Sequence, residues 1–201
     1  MRRPTAVCAV LVVVALAGCG SSSKPKIAGP TITSPQVGGA IIQAKPLAPA
    51  IALHDDQGRR VTLGQFRGKW VAVAFIYTHC PDVCPLISQN LNAALAMAPD
   101  LRVVAVSVDP KGDTPAAVRA FIRSHHLSDT FHYLIGSRAQ LSPVWRAWHV
   151  AAVPGPAKTV SHSSFEVLVD PDGRERAYYD AAVSAADVLH DLKALRGTVS
   201  A

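Results

Sequence analysis

The chain is poor in cysteine: four occur in 201 residues, at positions 8, 19, 80 and 84. A bridge between the only close pair, Cys80 and Cys84, closes too small a loop to staple a fold, so a disulfide scaffold is excluded. The chain also lacks any run of Lys or Arg, and no aromatics are interleaved with its scattered positive residues. That removes a nucleic-acid interface from consideration. The formal charge of +6, or +4 without Arg2 and Arg3, is that of a solvated basic surface able to face anionic lipid. Long apolar runs are missing as well. The stretch over residues 6–17 is too short for a comfortable membrane span, and behind Arg2 and Arg3 it reads as a targeting segment.

That segment ends in Leu16-Ala17-Gly18-Cys19, which resembles the lipobox of bacterial lipoproteins. There the cysteine is diacylated on sulfur and becomes the first residue after cleavage. The expected organisation is a lipoprotein signal peptide over residues 1–18, then a lipid anchor at Cys19. A Pro-, Gly- and Ser-rich flexible tether follows over 19–47, and one domain over 48–201. A tether of about 28 residues spans roughly 30 Å and lets the domain reach a partner in the same membrane. Two acyl chains, at about 0.8 kcal/mol per buried CH2, anchor stably where one does not. The expected location is the outer face of the bacterial cytoplasmic membrane. With Cys8 gone and Cys19 acylated, Cys80 and Cys84 are the only free thiols left.

Within the domain, residues 51–54 and 60–63 flank the turn Asp55-Asp56-Gln57-Gly58 and read as a hairpin. Residues 70–77 form a near-continuous apolar run, the mark of a central strand buried on both faces. A helical spacing follows over 84–98, a second buried strand over 101–108, and a helix from Pro115 to about His125 capped by Thr114. A third strand (131–135), a helix (138–149), strands at 164–169 and 174–179 around Pro171-Asp172-Gly173, and a closing helix (184–195) complete the chain. This order predicts an α/β, thioredoxin-like fold: a mixed sheet flanked by helices, with an N-terminal β-hairpin.

The thiols stand in Tyr77-Thr78-His79-Cys80-Pro81-Asp82-Val83-Cys84-Pro85, where the first central strand hands over to a helix. If Cys80 opens that helix, Cys84 lies one turn on, on the same face. A helix N-terminus favours thiolates, and two converging thiolates suit either Cu(I) or a reversible disulfide. Copper calls for a third donor. Of the eight histidines, His162 precedes a strand expected beside the Cys-bearing strand, and its loop faces the start of the helix. His79 adjoins Cys80 but points away from it, Asp82 suits a helix cap, and Asp109, Asp113 and Thr114 suit a turn and a helix start.

The segments YTHCPDVCPL, VVAVSVDPKGDTPAAVRAF and VSHSSFEVLVDPDG resemble, in this order, the SCO (SenC/PrrC) family of copper proteins of cytochrome oxidase assembly. By motif position the resemblance implies copper, as Cu(I) or Cu(II), held by Cys80, Cys84 and His162. It implies a metallochaperone whose partner is cytochrome c oxidase subunit II, where it helps to load the dinuclear copper centre. The alternative is a membrane-tethered thiol–disulfide oxidoreductase that reduces the copper-ligand cysteines of subunit II. The chain departs from the family's pattern at residues 151–158 and at Ser142, which bears on partner docking and on any fourth Cu(II) ligand. Thr78 is two residues before Cys80, the wrong spacing for a peroxidase. No fourth donor completes a structural zinc site.

Overall fold

The computed structural model describes residues 38–156 and 159–197. The expected signal segment, Cys19 and the first part of the expected tether lie outside them. Strand β1 (Ala40–Ile41) precedes the hairpin β2 (Ala52–Asp55) and β3 (Arg60–Thr62). The central strand β4 (Trp70–Ile76) is buried along its whole length and runs parallel to β5 (Leu101–Ser107), which runs parallel to β6 (Phe131–Ile135). The small sheet β7 (Ala152–Pro154) and β8 (Val160–His162) comes next, then β9 (Phe165–Val169) and β10 (Glu175–Asp180). The helices are α1 (Val83–Met97), α2 (Pro115–Ser124), α3 (Arg138–Ala147) and α4 (Ala185–Arg196).

The main sheet has the order β1-β10-β9-β4-β5-β6-β2-β3, with β9 antiparallel to β4 in the register Ala74↔Glu166. The parallel β4–β5–β6 core follows from its crossovers, because α1 and α2 carry the chain back between parallel neighbours. Sequence signals set the helix starts. Thr114 accepts the Ala117 N–H at 3.2 Å with Pro115 as the first helical residue, and Ser184 and Asp187 close a capping box. One face of the sheet carries a run of aromatics: Phe75 packs on Trp148 and Phe165, with ring centroids 5.8 and 5.7 Å apart.

The structure differs from expectation in three places. Residues 38–47, assigned to the tether, belong to the fold. Gly38 and Gly39 donate their N–H groups to Asp187 and Asp191 of α4, β1 pairs with β10, and Leu47 bridges to Arg174. A two-residue edge strand is too short to show periodicity. Its glycine is needed for close approach, since a Cβ on Gly39 would lie 2.6 Å from the Tyr178 carbonyl oxygen. The helix expected to reach residue 149 stops at Ala147, and His149 takes the left-handed conformation (φ 58°) that ends many helices. The segment before His162 pairs into the separate β7–β8 hairpin instead of running straight into the main sheet.

Glu166 is the one carboxylate in the middle of a buried strand. Neither of its oxygens has a hydrogen-bond partner, and it is 1% exposed. Burial, with a smaller contribution from Asp180, pushes its pKa up to about 9 from 4.5. Between those values the folded chain keeps a proton that the unfolded chain has lost. Stability therefore falls as pH rises through this window, by up to about 1.4 kcal/mol per unit. Glu166→Met is expected to raise the urea midpoint at neutral pH and to flatten its pH dependence between about 5 and 9. An unchanged slope would show that this carboxyl is not the group responsible.

Candidate metal centre

Asp82 caps α1, accepting the Val83 N–H at 2.6 Å, so Cys80 lies just outside the helix and Cys84 is its second residue. The expectation that Cys80 opens the helix is thus corrected by two positions. Asp82 competes better for the first free N–H, being a short ionised acceptor. The consequence for the sulfurs is direct. The Cys84 N–H, one of the unpaired donors of the first turn, points at Cys80 Sγ at 3.4 Å. Both thiols are free, and both are buried.

The two sulfurs share one proton. Cys80 is lowered to about 6, first by the hydrogen bond that the Cys84 thiol donates to it, and further by the N–H groups of Asp82 and Cys84. Burial and the Asp82 charge oppose this. Cys84 is pushed far above the usual thiol range, first by that same bond to Cys80, then by burial and by the charges of Cys80 and Asp113. The resting pair is one thiolate and one thiol.

What holds the loop is Asp113. Its Oδ1 accepts the Thr78 N–H at 2.8 Å and the Thr78 hydroxyl at 2.7 Å. Its Oδ2 accepts the hydroxyls of Ser107 at 2.6 Å and Tyr133 at 3.0 Å. Burial raises its pKa and these four donors lower it, with burial the larger effect. The sequence suggested only a helix-start residue here. The available signal was the cluster of Ser107, Asp109 and Asp113 just past a buried strand. Asp109 does make its turn, accepting the Lys111 N–H at 3.2 Å.

His162 ends β8 and is partly buried, with Nδ1 2.8 Å from the Ser163 carbonyl oxygen. Nδ1 is therefore the protonated nitrogen, and Nε2 is left with its lone pair free. The ring stands edge-on to Tyr77, 5.7 Å between centroids. Among the described residues, the donor atoms of His79, Asp109 and Asp113 form the one His/Cys/Asp/Glu cluster within 4.8 Å of one another. Cys80, Cys84 and His162 are neighbours through Tyr77 without reaching that spacing. Asp113 has spent its lone pairs on four protein donors, so the closer cluster is a clamp and not a cation cage. His79 is exposed, and it lines a cleft of about 810 Å³ with Asp109, Lys111, Arg138, Pro154 and Val160.

The SCO1/SenC family model matches residues 40–197. The chain belongs to the SCO1/SenC family. It is 32% identical over 154 residues to the mitochondrial SCO2 homolog of Bos taurus, covering 71% of this chain and 57% of that relative. The chain therefore spans little more than half the length of that curated relative. Among solved structures, copper-bound ScoI of Bradyrhizobium japonicum matches with TM-score 0.63 and 31% identity, over 74% of this chain and 98% of that one. Copper-bound ScoI of Arabidopsis thaliana matches with TM-score 0.66 and 29% identity, over 75% of this chain and 99% of that one.

In this SCO1/SenC chain the asymmetry of the thiols is open to direct measurement. In the metal-free, reduced protein, iodoacetamide is expected to label Cys80 first, with a half-maximal rate near pH 6. Cys84, which is 0% exposed, should resist until the fold opens; earlier labelling of Cys84 would reverse the assignment. Asp113→Ala strands Thr78, Ser107 and Tyr133 donors in the interior. It is expected to cost about 3 kcal/mol or more in urea unfolding, against less for Asp113→Asn.

Proposed function

We propose that this chain is a copper metallochaperone that takes copper on Cys80, Cys84 and His162. It passes the metal to the dinuclear copper centre of cytochrome c oxidase subunit II. In this reading the domain works at the outer face of the bacterial cytoplasmic membrane, tethered by a diacylated Cys19. The observation that carries the reading is the pair of free, buried thiols at the start of α1, with the Cys84 N–H 3.4 Å from Cys80 Sγ. The Cys84 thiol's hydrogen bond lowers Cys80 to about 6, so that sulfur is readily ionised beside its partner. Soft, convergent thiolates select Cu(I). Binding replaces the Cys84 proton with the metal, so one proton leaves for each Cu(I) bound at the dithiol. The free Nε2 of His162 supplies a third donor once its hairpin moves toward the sulfurs. Copper-bound relatives from Bradyrhizobium japonicum and Arabidopsis thaliana support the same chemistry.

A second reading draws on the same thiols. A Cys80 thiolate with Cys84 as the resolving thiol can reduce a disulfide in subunit II: Cys80 attacks one partner sulfur and releases the other as a thiol, and Cys84 then loses its proton and attacks Cys80 in the mixed disulfide, expelling the partner sulfur still bound there. Two electrons leave this chain, which ends as the Cys80–Cys84 disulfide. Anaerobic Cu(I) titration of the reduced domain, followed by mixing with an apo subunit II fragment, separates the two. The metallochaperone reading expects one copper per chain, loss of tight binding in Cys80→Ser and Cys84→Ser, weaker binding in His162→Ala, and transfer to the fragment. Undiminished affinity in His162→Ala removes that residue from the donor set. Disulfide reduction without copper transfer overturns the first reading in favour of the second.

A further inference from the structure

Tyr77 touches every part of the site. Its backbone N–H faces the Cys84 sulfur, and its carbonyl oxygen accepts the Cys80 N–H at 3.4 Å. Its hydroxyl faces both the Cys80 sulfur and the Val160 N–H, and its ring meets the edge of His162. The residue is 4% exposed.

The register of the hairpin explains why the Val160 N–H is available. Gly155 N–H bonds to the Thr159 oxygen, and Ser163 N–H to the Ala151 oxygen. With Val153 opposite Ser161, those bonds make 153–161 the hydrogen-bonded pair. Val160 and His162 then turn their main-chain groups away from β7. The outer edge of β8 is thus a bare strand edge, and among the described residues the Tyr77 hydroxyl meets it at Val160.

We propose that Tyr77 is a positioning residue that couples the thiol pair to the histidine hairpin. Its ring sets the approach of His162, and its hydroxyl latches β8 to the cysteine loop. The coupling to copper rests on the metallochaperone reading, while the latch itself does not. The sheet fixes Cys80, Cys84 and Tyr77 together at the end of β4. His162 rides on a two-stranded ribbon that the main sheet does not hold, and such a ribbon has little independent stability. Contacts between the two bodies decide how far the imidazole stands from the sulfurs: Ala152 and Val160 pack on the core, and Tyr77 is the contact that meets the His162 ring itself.

Two measurements on the full domain test the proposal. In the metal-free protein, Tyr77→Phe removes only the hydroxyl. It is expected to speed hydrogen exchange of the Val160 amide by about fivefold or more, leaving the cross-bonded Ser161 amide unchanged. Equal exchange at Val160 in the two proteins overturns the latch, whatever the metal does. For copper, a double-mutant cycle pairs Tyr77→Leu with His162→Ala and reads Cu(I) affinity against a chelator. Tyr77→Leu alone is expected to weaken binding by about tenfold, and to add little in the His162→Ala background. Tyr77→Phe, which keeps the ring and loses only the hydroxyl, should weaken binding less than Tyr77→Leu does. Additive losses overturn the coupling. If the parent binds no copper, the metallochaperone reading fails and the Val160 result still decides the latch.

Discussion

Asp113 carries the constraint on which the site depends. Its carboxylate ties three parallel strands together: Thr78 just after β4, Ser107 at the end of β5, and Tyr133 within β6. Four donors match the four acceptor positions of one carboxylate, so the group is fully used within the protein. A loop carrying a cysteine is ordinarily the mobile part of a fold. Here it is held by bonds to a group that is itself 4% exposed. Cys80 is thereby presented to the first turn of α1, and the electrostatics of that turn act on a sulfur at a fixed distance.

The chemistry then follows from a competition for one proton. Cys80 gives it up because helix N–H groups and the Cys84 thiol all donate to its sulfur. Cys84 keeps it because a second charge beside the first, in a buried position near Asp113, is strongly disfavoured. A cation lifts that restriction, since it supplies the charge that lets both sulfurs ionise. An incoming disulfide lifts it differently, by consuming the Cys80 charge in a new bond. Both proposed functions are thus ways of releasing the same held proton.

Much of this was legible in the sequence, and the losses have physical reasons. The continuous run at residues 70–77 marked the central strand because burial on both faces erases alternation. Thr114 with Pro115, and Ser184 with Asp187, announced helix starts through local chemistry. The cysteine pair and His162 stood out by residue type. What stayed hidden is long-range. Strand β1 exists only because α4 and β10 receive it, and two residues carry no period. Asp113 and Tyr77 occupy positions where a helix start and a last strand residue explain their types equally well. Their roles depend on partners brought in from elsewhere in the chain, such as Thr78, 35 residues from Asp113, and His162 for Tyr77. The family resemblance implied a donor set that spacing alone did not, but not the arrangement found: Cys80, Cys84 and His162 gathered around Tyr77 without their donor atoms reaching within 4.8 Å of one another.

Under the metallochaperone proposal, the division between a fixed dithiol and a histidine on a separate ribbon has a consequence for transfer. A donor that must yield its metal cannot bind it in a closed cage, because every rigid ligand adds to the barrier for leaving. Two thiolates on a clamped loop give retention with selectivity for a soft ion. A third ligand on a weakly held hairpin can arrive to complete the site and withdraw to open it, without disturbing the sheet. The cleft beside His79 is lined on one side by that hairpin, through Ala152, Pro154 and Val160. In this arrangement the stability of the core and the lability of the metal are set by different parts of the chain. The residue between them, Tyr77, is where one can be tuned without the other.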